Sequence, residues 1–105
     1  MTEPDRDVSQ VEEALTVIAA QEGDGEAFRR LVNRYDARLL YFIRRIVGET
    51  ETAFDVLQAV WLAVHRRLRS LKSPEAFRVW VYRIAHDQAV SQVRVNVQEE
   101  LLPSA

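Results

Sequence analysis

Apolar residues recur along this chain at steps of three and four, with polar residues between them. Such spacing places the apolar side chains on one face of a helix. The clearest stripe lies between Gly25 and Gly48, and it predicts a helix near 26–47 that ends at Gly48. Its members are Phe28, Leu31, Val32, Tyr35, Leu39, Phe42, Ile43 and Ile46.

Two further stripes follow this segment. The first predicts a helix near 51–71 and consists of Phe54, Leu57, Trp61, Val64, Leu68 and Leu71. Ser73, Pro74 and Glu75 then provide an N-cap, a first helical position and a first-turn acid, which predict a helix near 74–95. A shorter and weaker helix is predicted within 8–22, through Val11, Leu15 and Ile18.

No stretch alternates with period two for long enough to indicate a sheet. The predicted fold is therefore all-α, a compact bundle of three long helices and a shorter N-terminal one. Three regions are predicted: an acidic N-terminal segment with a short helix (1–22), a helical domain (23–97), and the start of a linker or disordered tail (98–105). The predicted core consists of Phe28, Tyr35, Phe42, Leu57, Trp61, Val64, Phe77, Trp80 and Ile84.

The length of 105 residues suits one domain with one core. The absence of cysteine excludes disulfides and thiolate metal sites, and it favours a reducing compartment. The acidic start, "MTEPDRDVSQVEE", is not typical of a signal peptide, and no apolar run is long enough to cross a bilayer. We expect a soluble cytoplasmic domain with no cofactor, metal or small-molecule substrate.

Charge is unevenly distributed along the chain. Residues 1–26 hold eight acidic side chains and one base, for a net −7, whereas residues 27–97 hold thirteen Lys+Arg and six Asp+Glu, for a net +7. The tail adds −2. Arginines often only solvate the outer faces of helices, so this asymmetry favours an anionic partner only slightly.

An enzymatic function is not indicated. Catalysis would need a nucleophile with a base and an orienting group, or a set of metal ligands. The chain has only two histidines, and its carboxylates are scattered singly. The glycine-containing "EGDGE" is too short for a phosphate loop, and its acids would repel phosphate.

Three stretches occur in an order that is informative: "GDGEAFRRLVNRYDARLLYFIRRIVG", "ETAFDVLQAVWLAVHRRL" and "FRVWVYRIAHDQAV". Together they resemble region two of bacterial RNA polymerase sigma factors of the extracytoplasmic-function group, over roughly residues 23 to 95. The combination of A-x-D-x-x-Q, a following aromatic residue and F-R-x-W-x-Y-R-I-A carries this resemblance. It implies a role in transcription initiation.

The resemblance implies that the helix holding 53–67 docks on the clamp helices of the polymerase β′ subunit. The matching polymerase-binding positions are Asp55, Gln58, Trp61, Leu62 and Arg66, with Val60 beside them. Asp55 and Gln58 lie off the apolar stripe, with Leu62 one turn further on, so they are expected on a separate side of the helix.

The resemblance also implies that the last helix and the preceding loop contact the promoter −10 element. The matching positions are Lys72, Ser73, Arg78, Tyr82, Arg83, His86, Asp87 and Arg94. Basic and aromatic residues together suit single-stranded DNA. By its spacing Trp80 belongs to the core, which leaves Tyr82 as the better stacking candidate.

The sequence departs from the family pattern at several positions. Ala59 replaces an acid after the glutamine, and His86-Asp87 stand where the family usually has Arg-Asn. Arg94 is the only base in "SQVRVNVQEE". Each change removes charge or a hydrogen-bonding group from the DNA side, so weak DNA binding is expected.

One alternative function stays open at this point. The domain could be a sigma-like interaction module that binds polymerase or an anti-sigma factor with weakened or lost DNA reading. The family's second helical domain, which reads the −35 element, is not found in the sequence, and the polar "VQEELLPSA" is typical of the beginning of a linker.

Overall fold

The computed structural model describes residues 4–103, and the side-chain surroundings from residue 9 onward. Four helices account for nearly all of this part of the chain: α1 (Pro4–Gln21), α2 (Gly25–Val47), α3 (Thr50–Arg67) and α4 (Phe77–Leu101). Two 3₁₀ turns, Leu68–Ser70 and Pro74–Ala76, join α3 to α4. The described residues contain no strand, and the predicted all-α fold is confirmed.

The helix bounds differ from the predicted ones at several places, among them the start of α4, which is Phe77 and not residue 74. Helix α1 begins at Pro4 and has 18 residues, so it is not short. Helix α3 ends at Arg67, and a 3₁₀ turn takes the chain to Ser70. Helix α4 continues to Leu101, so residues 98–101 are helical and not part of a disordered tail. Residues 104 and 105 of the predicted tail lie outside the described residues.

Local sequence explains the ends of α2. The Asp24 side chain caps the first turn, because its Oδ1 accepts hydrogen bonds from the backbone N–H groups of Glu26 (3.0 Å) and Ala27 (3.2 Å). Gly48 has φ 81°, and its N–H donates to the carbonyl of Arg44 at 2.8 Å. This left-handed conformation suits glycine, and the predicted stop at Gly48 is confirmed.

One core lies between the four helices. Every helix contributes to it, since α2, α3 and α4 pack against one another and α1 packs against α2. Its largest fully buried side chains are Val17, Leu31, Leu39, Ile43, Val60, Val64, Phe77 and Val81. Small residues allow the helix backbones to approach closely, because Ala27, Ala53, Ala85 and Ala89 are also fully buried.

The predicted core is partly right. Tyr35, Leu57, Val64, Phe77 and Ile84 are buried as expected. The other four predicted members, Phe28, Phe42, Trp61 and Trp80, are half-buried and pack against the outside of the core. Aliphatic side chains and alanines fill the centre, which leaves these large rings at the helix margins.

The prediction that Phe54 belongs to the inward-facing apolar stripe of α3 is wrong. Its side chain is 51% exposed. The inner stripe of α3 consists of Ala53, Val56, Leu57, Val60 and Val64. Because each helical residue turns the side-chain direction by about 100°, Phe54 points away from the stripe that Ala53 begins.

The apolar stripe predicted for α1 also faces the wrong way. Val11, Leu15 and Ile18 are exposed, and Val17 is the residue of α1 that enters the core. Polar contacts hold the inner side of α1. The Gln21 Nε2 donates to the carbonyls of Leu68 (3.0 Å) and Leu71 (2.8 Å). Helix α1 is therefore packed against the rest of the bundle, as the predicted fold has it.

Candidate functional site

Four exposed residues of α3, Phe54, Asp55, Gln58 and Leu62, form what we call the α3 outer face. Phe54 and Leu62 are each 51% exposed and lie eight residues apart, with Gln58 midway between them. Residues four apart on a helix lie on the same side, so the three side chains form a row. Two large apolar side chains are thus exposed to solvent beside an amide and a carboxylate. This combination is typical of a docking surface.

The remaining predicted polymerase-binding residues, Trp61 and Arg66, differ in their exposure and in their position relative to this face. Arg66 is exposed one turn beyond Leu62. Trp61 is half-buried at the margin towards α2, where its Nε1 donates to the Asp36 Oδ1 at 2.8 Å. Val60, which the resemblance placed beside the site, is fully buried and cannot contact a partner.

The predicted DNA-binding residues do not form one surface. Arg83, His86, Asp87 and Arg94 are exposed on the side of α4 that faces away from the core, which we call the α4 outer face. The carboxylate of Asp87 lies between the two arginines along the helix, and its Oδ1 is 3.4 Å from the His86 Nδ1. A phosphate on this face would therefore meet an acid as well as two bases.

Lys72 and Ser73 lie in the exposed connection that precedes α4. The Ser73 hydroxyl donates to the Glu75 Oε2 at 2.9 Å. The backbone N–H of Glu75 and this hydroxyl lower the pKa of the Glu75 carboxyl. The loop thus holds an ionised acid close to the predicted DNA contacts, and the hydroxyl of Ser73 is already engaged.

Tyr82 and Arg78 lie away from the α4 outer face. The Tyr82 ring packs edge-on against Phe42, with ring centroids 5.1 Å apart and planes at 83°, and it is half-buried. Arg78 lies at a groove between α1, α2 and the start of α4. Tyr82 is thus held by α2, which sequence spacing could not show. Trp80 is half-buried against Phe77, at a centroid distance of 6.0 Å.

A partly buried polar cluster joins α1 to α2. The Tyr35 hydroxyl donates to the Glu13 Oε1 at 2.6 Å, and the Arg34 Nε lies 3.2 Å from the same oxygen. Burial raises the pKa of the Tyr35 phenol, and the hydrogen bond to the Glu13 carboxylate raises it further. The phenol therefore stays protonated as a donor, which indicates a structural role.

Metal-ligating side chains do not cluster in residues 4–103. Within them no three His, Asp or Glu side chains come together as a metal-binding group. None of the helices in this range combines the length and apolar character needed to span a membrane.

Sequence reasoning missed two exposed aromatic residues. The apolar spacing places Phe54 in the inner stripe of α3, and it gives no sign that Tyr41, which is 64% exposed on α2, faces outward. Tyr41 stands in the apolar run "LLYFI", where composition alone suggests burial. Only the phase set by Leu39 and Ile43, which are fully buried, could have indicated that Tyr41 faces outward.

The sequence profile of the sigma-70 region 2 family matches residues 31–97. The chain belongs to this family. The matched range begins inside α2 and contains α3, both 3₁₀ turns and most of α4. It includes the α3 outer face and the α4 outer face.

Curated relatives agree with this assignment. The chain is 34% identical over 82 residues to the RNA polymerase sigma-H factor of Pseudomonas aeruginosa, which covers 78% of this chain and 42% of that protein. It is 34% identical over 80 residues to the ECF RNA polymerase sigma-E factor of Escherichia coli, which covers 76% of this chain and 41% of that protein. The chain thus spans well under half the length of these relatives.

A solved structure is similar over most of the chain. It is the NMR structure of an engineered region 2 of sigmaE in complex with GTAAAA. The two chains share 29% sequence identity, and the match has a TM-score of 0.77 and covers 86% of this chain and 94% of the other. The match extends the family resemblance from sequence to three-dimensional structure.

Proposed function

We propose that this domain acts in bacterial transcription initiation, as a sigma factor region two that docks on core RNA polymerase and contacts the promoter −10 element. Membership of the sigma-70 region 2 family and the names of the sigma-factor relatives support this function. Its place of action would be the cytoplasm, where polymerase and chromosome meet. The role is that of a binding subunit and not of a catalyst.

The observation that carries the polymerase part of the proposal is the α3 outer face. Phe54 and Leu62 leave about half of their surface in water although the core of the bundle is complete. Burying a large apolar side chain on a partner is worth about 1.5–3 kcal/mol relative to its exposure. Asp55 and Gln58 between them would fix the register by hydrogen bonds. The clamp helices of β′ are the partner that family membership suggests.

The DNA part of the proposal rests on the comparison with sigmaE region 2, whose structure holds GTAAAA. By this similarity, Lys72 and Ser73 before α4, and Arg83, His86, Asp87 and Arg94 on it, would contact the −10 element. Arg78 and Tyr82 are less favourable members of that set, since they lie away from the α4 outer face. We expect the contact to be weak.

One observation favours a second function, that of a sigma-like interaction module with reduced DNA reading. Helix α4 has three arginines and three acids over Phe77–Leu101, so it carries no net charge. Affinity for DNA depends mainly on cationic contacts with phosphates. Such a module would bind polymerase or an anti-sigma factor without holding promoter DNA firmly.

A titration of labelled chain with core polymerase tests the docking face. The substitutions Asp55→Arg and Gln58→Ala should each weaken polymerase binding by about 1–3 kcal/mol, as substitutions of interface residues of this kind commonly do. The matched controls are Glu99→Arg and Gln98→Ala, which make the same changes at exposed positions near the end of α4. The helical circular dichroism signal and the melting temperature should stay unchanged in all four variants.

Two results would contradict the docking assignment. If Asp55→Arg and Gln58→Ala bind polymerase as the parent does, another surface makes the contact. If both variants unfold, the two side chains are structural. A separate titration with a −10-type single strand decides between the two functions: binding to polymerase and to DNA supports a sigma domain, whereas binding to polymerase alone supports the interaction module.

A further inference from the structure

A row of apolar side chains is exposed along α1. Val11, Leu15 and Ile18 lie at steps of four and three, so they share one side of the helix. Val79, near the start of α4, is 64% exposed and lines the same groove of about 700 Å³ as this row. We call these four residues the α1–α4 apolar patch. Single exposed valines or leucines are normal on a protein surface, whereas a group of them around one groove is typical of an interaction site.

The bundle itself does not use this patch. The opposite side of α1 is already packed, because Val17 is fully buried and Gln21 donates hydrogen bonds to two carbonyls that follow α3. Val11 and Leu15 nevertheless remain 59% and 61% exposed. The apolar surface of α1 is therefore available for a contact outside the chain.

The two sides of this surface carry opposite charges. On the α1 side Glu12 and Glu22 are exposed, and residues 9–22 contain no base. On the other side Arg38 of α2 and Arg78 of α4 are exposed and line the groove. We call the first pair the acidic edge and the second pair the basic edge. One surface of the domain thus presents both signs of charge around an apolar centre.

The other charged groups at the groove reduce this difference without removing it. Arg34 lies 3.2 Å from Glu13, so these two charges compensate each other within the chain. Glu75 also lines the groove and offsets one arginine of the basic edge. Two arginines and one acid leave a net charge of +1 on that side, whereas the two acids of the acidic edge give −2.

We propose that the α1–α4 apolar patch is the interface of a symmetric dimer, in which the partner is a second copy of this chain. A two-fold axis along the groove brings the same surface of two copies face to face and exchanges its two sides. The acidic edge of each copy then meets the basic edge of the other, and the apolar patches cover each other. A polyanion or an anionic membrane would instead be repelled by the acidic edge.

The size of the patch indicates a weak dimer. Stable specific interfaces bury about 800 Å² on each partner, and smaller ones are typical of weak or transient complexes. Four apolar side chains with a short charged border fall among the smaller ones, so we expect a dissociation constant on the order of 10–100 μM. At the much lower concentrations of a titration with labelled chain the protein is then a monomer. Neither polymerase nor DNA takes part in this contact, which therefore goes beyond the proposed function.

Sedimentation equilibrium of the full 105-residue chain at low salt measures the dimer. The average mass should rise from that of one chain towards that of two as the concentration increases from about 1 μM to about 1 mM, a range that brackets the expected dissociation constant. Leu15→Glu should weaken dimerisation at least about tenfold, because it places an unpaired carboxylate in the apolar centre. Leu101→Glu is the matched control, since Leu101 is 79% exposed near the end of α4 and outside the patch. It should dimerise like the parent.

Charge reversal tests the pairing of the two edges. The double variant Glu12→Arg, Glu22→Arg has two basic edges. The double variant Arg38→Glu, Arg78→Glu has two acidic ones. Each should dimerise at least about tenfold more weakly than the parent, because like charges then face each other. An equimolar mixture of the two variants should recover the dimer, because opposite charges meet at both edges. Adding Leu15→Glu to both chains should abolish this recovery, which separates a specific interface from general attraction between oppositely charged chains.

Circular dichroism and thermal melting show whether each variant keeps the parent fold. If the charge variants unfold, the comparison of Leu15→Glu with Leu101→Glu still decides. A parent that stays monomeric up to about 1 mM would overturn the inference, as would a Leu15→Glu variant that dimerises like the parent. Equal losses in Leu15→Glu and Leu101→Glu would also contradict it, and so would folded charge variants that do not recover the dimer on mixing. None of these outcomes bears on the binding of polymerase or DNA, since the samples contain neither.

Discussion

The outward sides of α3 and α4 have opposite compositions, although both helices bury a similar inner stripe. The α3 outer face holds Phe54 and Leu62, each about half exposed, beside only one charged residue, Asp55. The α4 outer face holds charged and ionisable side chains with an acid among the bases. One face is suited to a dry contact whose energy comes from apolar burial, and the other to a solvated, salt-dependent contact.

This difference predicts that the domain binds its two proposed partners with unequal strength. Apolar side chains already in place can supply several kcal/mol to a protein partner with little sensitivity to salt. A helix whose three arginines are balanced by three acids, as in α4, gains little from a polyanion. We therefore expect polymerase binding to be the stronger activity of the isolated domain, and DNA binding to need help from other contacts.

The largest expected effect concerns the hydrophobic core, which holds the helices of both outer faces in place. Phe77, the first residue of α4, is fully buried, with its ring 5.6 Å from that of Tyr35 on α2. Phe77→Ala should lower the free energy of unfolding by about 3–5 kcal/mol because it leaves a cavity. Chemical denaturation measures this, and loss of both binding activities should follow the unfolding. A cost below about 1 kcal/mol would show that the core lies elsewhere.

The next largest effect tests whether polymerase binding depends on the α3 outer face or on exposed apolar residues in general. Leu62→Ala and Phe54→Ala should each weaken polymerase binding by about 2 kcal/mol, the size expected for a central interface residue. Leu15→Ala is the matched control, since Leu15 is 61% exposed on α1 and outside this face. Titration of the polymerase complex gives the comparison. Equal losses for Leu62→Ala and Leu15→Ala would mean that exposed leucines in general, and not this face, determine binding.

Much of the architecture could be predicted from the sequence, because helices are indicated by the spacing of apolar residues and by the glycine, proline and capping residues at their ends. The stop at Gly48 and the burial of Tyr35, Phe77 and Ile84 agree with the predicted stripes. The error at Phe54 has a physical cause. Helical spacing fits two series of residues in α3: Phe54, Leu57 and Trp61, or Ala53, Leu57 and Val60. The sequence prediction takes the series with the larger side chains. Packing favoured the small ones, since they let the helices approach.

Features set by contacts between helices could not be predicted. The apolar residues of α1 were expected to face the core, yet hydrogen bonds from Gln21 and Tyr35 anchor the polar side of that helix. Tyr82 was expected to be available for stacking, and its ring rests on Phe42 instead. The exposure of Asp55, Gln58 and Leu62 agrees with their predicted position off the stripe. Their role in docking stays a prediction.

A smaller effect is expected from a comparison of the two tryptophans. It tests whether a hydrogen bond holds Trp61 at the margin of the α3 outer face. Trp61 donates a hydrogen bond to Asp36, whereas no such bond is found for Trp80 among the described residues. Trp61→Phe should therefore destabilise the fold by about 1 kcal/mol more than Trp80→Phe, the usual net value of one hydrogen bond. Thermal or chemical unfolding of the two variants measures the difference. Equal stabilities would indicate that the bond to Asp36 contributes nothing and that Trp61 is free to reach a partner.

The smallest effect concerns the acid on the α4 outer face. Asp87 is exposed and lies between Arg83 and Arg94 along the helix, so it repels any phosphate that those bases attract. Asp87→Asn removes the charge and keeps the shape, and it should tighten binding to a −10-type single strand about twofold to fivefold, as expected for one exposed charge. Glu99→Gln, the same change three turns further on, should have no effect. The gain should shrink as salt is raised, because exposed charges are screened. Unchanged affinity in Asp87→Asn at low salt would show that the strand avoids the α4 outer face.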